Sequence, residues 1–548
     1  MNNRLILVAT LIGTALIILS IGAILWRRLY QDDPANAARR IFKNSAITFG
    51  LRLFVRGLDT IILLLLVGTL DPAALGAYNT AALLVAQYLA TFTEFGLGIL
   101  LTREAARHPT AAQHLFGITL GLRLLLIGVA AIPIAWLVIY IYNTIGRLGL
   151  SEPLTSEGQQ AIWILLLTLI PGAYSGAVTA LYNAAERMEV PAVIEVLTAL
   201  LSFVARIAVL SLGWGVIGLA WAAVLVSSLT ALIFFSLQVR TFFTPTLSFK
   251  LTTIRQIVPQ ALPLMLNNLL SIIFFRFDLF IVRAFGGSNA DLLVQQYVLP
   301  YQLLNIALVL PPAVTFAVFP LLARRAGGAR SELAVAQQRT LHLLLLIAFP
   351  LAMAMTLLAD DLVWLFARRR FAEYLPSVSV LAVLAWFLPL SFVNGLLQYV
   401  LIAIERQTAI TRAFVIGAAF NLIANLFVIP IAIRLGQPES ALLAAAVITI
   451  LSEVVLYTVF RPVLQQEGLS PNIHRLLWRP AIASLIMAAA IVPALIWLPG
   501  WVGAVCALFV GPIAYGIGAW MLGAIGPEEL ALARRIVGRA EKRAQPTA

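Results

Sequence analysis

Residues 176–187 read GAVTALYNAAER, and residues 395–406 read GLLQYVLIAIER. Each stretch begins on glycine, runs largely apolar and ends on Glu-Arg, and the two lie 219 positions apart. The same offset carries Asp59 onto Asp278 and Tyr78 onto Tyr297. Matches that share one offset and fall in equivalent apolar stretches mark an internal duplication. Six such stretches make up each copy, an even number, so both copies enter a membrane in the same direction. Repeats of this parallel kind are related by an axis along the membrane normal, and transporters commonly bind cargo between them.

The composition fits a chain that lives in lipid. Of its 548 residues, 61% are hydrophobic and 11% charged, with a mean hydropathy of +0.97. Soluble domains carry about 25% charged residues, so the expected class is an all-α polytopic membrane protein. The net charge of +13 would suggest nucleic acid in a soluble chain. Here it has a different meaning, because 25 Lys and Arg fall in one set of alternate loops and tails and five in the opposite set. By the positive-inside rule, both ends of the helical core face the cytoplasm, which points to the cell inner (plasma) membrane. Nucleic acid is not expected as a partner.

Fourteen core helices are expected, plus an extra one at the N-terminus. Residues 1–43 read as that extra transmembrane helix and a basic cytoplasmic linker, because residues 5–25 form an uncharged run of 21, longer than the core of a signal peptide. Residues 44–238 form a six-helix N-lobe and 239–254 a cytoplasmic connection. Residues 255–460 form a six-helix C-lobe, 461–524 two trailing helices, and 525–548 a basic cytoplasmic tail. Gly117-x-x-x-Gly121 and Gly172-x-x-x-Gly176 would permit close helix contact. Pro259 and Pro263 would kink or break the first helix of the second lobe.

The first helix of each lobe carries charges at membrane depth. On the first, Arg52, Arg56 and Asp59 recur at i, i+4 and i+7 and so share a face. Its counterpart carries Arg276, Asp278 and Arg283. A charge at the bilayer centre costs about 2.5–3.5 kcal/mol on insertion scales, so such residues usually face a bundle interior or a wet cavity. Arg123, Arg206, Glu94, Glu195 and Glu453 complete the inventory within the helices. Arginine grips phosphate with a planar fork of donors, and a carboxylate can carry a proton or a sodium ion. Arg283, near a helix end, could reach the membrane surface along its own stem. Arg56 and Asp59 could chiefly neutralise each other.

Several other chemistries are excluded or disfavoured. No G-x-x-x-x-G-K-[ST] loop, H-E-x-x-H or G-x-S-x-G occurs, the four histidines lack metal-ligand spacing, and Cys506 stands alone. The chain is expected to be no enzyme and to need no cofactor or metal. Arg368-Arg369-Arg370 breaks the charge pattern on the expected outer side, as a segment meeting lipid headgroups or as a sugar-binding patch.

Certain motifs also carry a family resemblance. GTLDPAALGAY at 68–78, EFGLGILLTRE at 94–104, and the stretch from Leu262-Pro263 through Arg276-Phe277-Asp278 to Phe319-Pro320 resemble polysaccharide flippases of the Wzx type (O-antigen or oligosaccharide flippases). These belong to the multidrug/oligosaccharidyl-lipid/polysaccharide (MOP) exporter superfamily. The resemblance spans about residues 38–524. It implies two six-helix lobes with two extra helices, and a polyprenyl-pyrophosphate-linked oligosaccharide carried from the inner to the outer leaflet by alternating access, with or without ion coupling. The family's cationic cavity maps onto Arg52, Arg56 and Arg276, for the pyrophosphate or an anionic glycan. Asp59, Asp278 and Glu94 are the candidates for ion coupling. Implied partners are the lipid-linked cargo, membrane lipids, and glycan polymerase or ligase proteins. The Arg-plus-Asp first helix and the segment Leu299 to Pro320 also resemble lipid II flippases of peptidoglycan synthesis. A cation-coupled multidrug exporter shares the fold, though its cargo would favour acidic linings. A non-transporting scaffold for glycan assembly is the remaining alternative, and it would gain nothing from inserting these charges.

Overall fold

The computed structural model describes residues 37–525 except 150, 327, 329, 436, 437 and 499. The expected extra N-terminal span and the basic tail from residue 526 lie outside the described residues. Helices account for nearly all of the rest. In lipid a backbone polar group has no water to bond, so a spanning chain satisfies each one within a helix. The helices are α1 (Ala37–Thr69), α2 (Pro72–Arg107), α3 (Pro109–Arg147), α4 (Ser156–Ala184), α5 (Glu189–Leu212) and α6 (Gly215–Thr241). There follow α7 (Leu251–Arg276), α8 (Asp278–Phe285), α9 (Ala290–Ala307), α10 (Leu310–Ala326) and α11 (Arg330–Leu357). The chain continues through α12 (Ala359–Leu384), α13 (Phe387–Ala403), α14 (Gln407–Arg434), α15 (Pro438–Gln466), α16 (Ile473–Trp497) and α17 (Trp501–Met521). Among the described residues there is no strand, only an isolated bridge between Ser151 and Gly287.

Each of the fourteen expected core spans has a helical counterpart. Among the described residues twelve stretches are long and apolar enough to cross a bilayer, or thirteen when α12 and α13, bent by 46°, count as one span. The other expected span is the charged helix α1. Pro259 and Pro263 do not break α7, which runs through both and ends at Arg276.

The duplication is visible in the backbone. Glu186 and Glu405 both adopt left-handed φ values, 57° and 60°, which non-glycine residues rarely take. At each, the following arginine N–H returns to a carbonyl five residues back, Arg187 to Tyr182 at 2.9 Å and Arg406 to Leu401 at 2.8 Å. The matching Glu-Arg sequences therefore end matching helices in the same way.

Two compact units emerge from the packing. One contains the described residues through Leu299 with Phe366–Pro376 and Ala418–Ala445. Within it, α1 packs along α5, and α2 packs against α4. Glycines set the closest approaches. A Cβ on Gly76 would lie 1.8 Å from the Asp291 carbonyl oxygen, so α2 meets α9 backbone to backbone. The two small-residue motifs do something other than join helices. Gly117 and Gly121 face the α6–α7 connection, at the carbonyls of Thr246 and Ser248, and Gly176 makes room for the Arg123 side chain. Two π turns, Leu84–Leu89 in α2 and Ile127–Ala131 in α3, interrupt otherwise regular helix.

The other unit contains Pro300–Leu365, Ser377–Gly417 and the described residues from Ala446. Here α16 and α17 pack on each other and on α11. His342 and the Ala524 carbonyl approach to 2.6 Å, and the Tyr515 hydroxyl donates to the Leu346 carbonyl at 2.8 Å. His342 thus bridges α11 to the residues that follow α17. The Glu467 carboxylate receives Arg406 at 2.7 Å and Arg330 at 3.1 Å, which fixes the start of the α15–α16 connection.

Candidate functional site

Three polar constellations lie within the first unit. The first joins α1 to α5. Arg56 and Asp59 are both exposed on α1, one turn apart, while Arg52 is described by its backbone alone. Arg206 on α5 is the larger charge acting on Asp59, and Arg56 the smaller. Arg206 also acts on Tyr78, at the start of α2. Two guanidinium charges thus act on one exposed carboxylate. Arg206 is the member that helix-face reasoning on α1 could not supply, because it arrives from another helix. The repeat held a clue: its equivalent at the same offset is Asn425, so the cation belongs to one copy alone.

The second constellation surrounds the break between α7 and α8. Asp278 is buried, 2% exposed. One of its oxygens accepts the Leu279 N–H at 2.8 Å, in the first turn of α8, and the other accepts the Tyr297 hydroxyl at 2.5 Å. The equivalent residues Asp59 and Tyr78 stand under the charge of Arg206 instead. Arg276 is half-buried at the end of α7. Tyr88 feels the charges of both Asp278 and Arg276, and its ring meets Phe277 and Phe280 edge-on.

The third constellation holds a broken helix together. Phe95 and Gly96 take left-handed φ values of 54° and 70°, so α2 stops and restarts within its length. Restarting leaves N–H groups without partners. Glu94 fills them, accepting from Gly96 N at 2.7 Å and Gly98 N at 2.6 Å. Arg123, 2% exposed, donates to the same carboxylate at 3.0 Å and to the Ala173 carbonyl at 3.1 Å. Both Glu94 oxygens are therefore engaged.

Arg283 does not reach the membrane surface. Its side chain is fully buried and pairs with Asp291 at 2.6 Å, because an inward-facing carboxylate and two loop carbonyls meet it there. Arg370 is tied back to Asp71 at 3.4 Å and to Glu373 at 3.2 Å, whereas Arg368 and Arg369 are exposed. Among the described residues no group of His, Cys, Asp and Glu could hold a metal ion.

The fold and these buried charges define a polytopic membrane protein of transporter architecture. A family model described as "Polysaccharide biosynthesis protein" matches residues 41–325, just over half of the chain, and a MatE model matches 263–427. The chain belongs to the polysaccharide biosynthesis protein family, within the MOP superfamily. Among solved structures, it is similar to the lipid II flippase MurJ in an inward closed conformation. That match has a TM-score of 0.66 at 14% identity, covering 87% of this chain and 98% of the other. An inward-facing multidrug resistance MATE family transporter of the MOP superfamily gives 0.58 at 16%, covering 75% and 95%. A MOP superfamily transporter from Pyrococcus furiosus, described as having a binding pocket of reversed polarity, gives 0.55 at 17%, covering 77% and 95%. At these identities the likeness concerns the fold. No curated protein matches.

Proposed function

We propose that this protein flips a polyprenyl-pyrophosphate-linked oligosaccharide from the inner to the outer leaflet of the cell membrane by alternating access. The observation that carries the reading is the pair of arginines, Arg56 and Arg206, attending an accessible carboxylate at Asp59. A pyrophosphate would draw both guanidinium groups more strongly than that carboxylate does, because it offers them more negative charge and more acceptor oxygens. Arg52, by the family resemblance, and Arg276, at the end of α7, are the further arginines assigned to the pyrophosphate or an anionic glycan. Asp59 is then free to balance the arginines when cargo is absent or to take up the coupling proton. Asp278 and Glu94 are the other coupling candidates, but each would first have to release the hydrogen bonds that now hold it.

Both ends of the helical core face the cytoplasm in this reading. Cargo passes to glycan polymerase or ligase proteins on the far side. Lipid II is the competing cargo, favoured by the breadth of the match to MurJ, which covers 98% of that chain. The test is leaflet translocation of fluorescent undecaprenyl-pyrophosphate glycans, lipid II included, in proteoliposomes. Arg56→Ala and Arg206→Gln should each abolish transport while leaving the protein folded. Full transport by both variants would return these arginines to structural roles. Transport of lipid II alone would assign the protein to the peptidoglycan pathway.

A further inference from the structure

The connection between α3 and α4 is stitched to the α8–α9 turn by groups that the cargo site does not use. The Arg283 guanidinium lies at the centre. It pairs with Asp291 at 2.6 Å, donates to the carbonyls of Glu152 at 3.0 Å and Pro153 at 3.1 Å, and lies 5.5 Å from the Tyr142 ring centre. Around it, Ser151 Oγ donates to the Arg283 carbonyl at 3.1 Å, Glu152 N to the Gly287 carbonyl at 3.1 Å, and Tyr142 Oη to the Phe280 carbonyl at 3.1 Å. Nearby, Asn79 donates to Gln295 at 2.7 Å, and Gly76 lies against the Asp291 backbone.

The distribution of charge across this seam matters. Arg283 and Asp291 lie eight residues apart on consecutive helices, so both members of the ion pair belong to the same side. What they bond on the other side is neutral: two carbonyls, a hydroxyl and an aromatic face. The charge beside them there, the exposed Glu152 carboxylate, repels Asp291 rather than holding it. A permanent staple would set one charge on each side, and parting them would leave each uncompensated, which is costly. Parting this seam leaves the ion pair intact and exposes neutral groups that water satisfies readily. The seam also lies at the less basic end of the helices, the outer end in the orientation proposed above.

We propose that Tyr142 and residues 151–153, set against Phe280, Arg283 and Gly287, form a reversible outer latch, closed here, whose opening releases cargo to the outer leaflet. This rests on the alternating-access reading, and two measurements separate the fates of the two ideas. With Cys506 replaced by Ala, Ser151→Cys and Gly287→Cys are combined at the backbone bridge and oxidised. Oxidation should stop translocation of the fluorescent glycan lipid, and reductant should restore it. Quantitative cross-linking with undiminished transport would overturn the latch while leaving the flippase reading intact.

The second measurement needs no cargo. Ser151→Cys alone is labelled by a membrane-impermeant maleimide from the outer side. Adding Arg283→Gln should speed labelling by roughly tenfold, the factor expected when one of its two charge-assisted hydrogen bonds across the seam is lost and glutamine keeps the other. Unchanged labelling would sink the latch. If the wild type flips no cargo but labelling responds, the latch stands and the cargo assignment falls.

Discussion

The Arg123 side chain occupies a slot that two glycines leave open, and this sets up a reversal of sign. A Cβ on Gly176 would lie 2.8 Å from Arg123 Nη1, and one on Gly98 would lie 2.8 Å from Glu94 Oε1. Gly176→Ala should therefore force the guanidinium off Glu94 and the Ala173 carbonyl. Overpacking of this kind costs about 1–3 kcal/mol. Arg123→Met removes one partner of a buried ion pair, a loss of about 3–5 kcal/mol when both charges are fully enclosed. The Glu94 side chain keeps 34% of its exposure, so solvent screens the charge left behind and the loss falls to about 2–3 kcal/mol. With the guanidinium gone, alanine at 176 meets no obstacle. It should then stabilise by about 0.5–1 kcal/mol, the usual gain over glycine inside a helix. The same substitution thus destabilises one background and stabilises the other. Denaturant titration of the four proteins in detergent micelles measures both values. Equal effects of Gly176→Ala in the two backgrounds would refute the caged-arginine account.

Two further substitutions probe other joints. Gly76→Ala places a methyl group 1.8 Å from a backbone oxygen that has no side-chain freedom to retreat, so α2 and α9 must part. Expression of folded protein should collapse, as size-exclusion chromatography would reveal; a monodisperse variant would contradict the close approach. Tyr297→Phe removes the 2.5 Å hydrogen bond to buried Asp278 and should cost about 1.5–3 kcal/mol, the range for bonds to charged groups. The corresponding Tyr78→Phe, in a copy where arginine attends the carboxylate, should cost less in the same titration; equal losses would show that the two copies do not differ.

Much of the architecture is legible before any coordinate is known. The 219-residue offset joins Glu186 to Glu405, and both turn out to be left-handed helix ends with the same hydrogen bonds. Apolar runs locate the helices because lipid leaves the backbone no alternative. The partners of charged residues are less legible. Glu94 reads as a free carboxylate in the membrane until the Phe95-Gly96 reversal exposes the N–H groups it caps, and only Gly96 hints at that break. Arg283 reads as a side chain able to reach the surface, because the carbonyls of Glu152 and Pro153 that enclose it lie about 130 residues away in sequence. Arg206 belongs with Asp59 through helix packing, which periodicity along a single helix cannot encode.

The π turn at Leu84–Leu89 fixes the rotational phase of everything that follows it in α2. Such a turn holds one residue more than the surrounding α-helix requires, and each residue of α-helix advances the face by about 100°. Tyr88 lies inside the turn, and Glu94 lies one and a half turns beyond it. Upstream, Gly76 stays aimed at Asp291 whether or not the extra residue is present. Downstream, one residue fewer would swing Glu94 away from Arg123 while leaving the helix long enough to span. A single-residue gap at this point in an alignment of relatives would therefore mark a rotated helix face rather than a shortened helix.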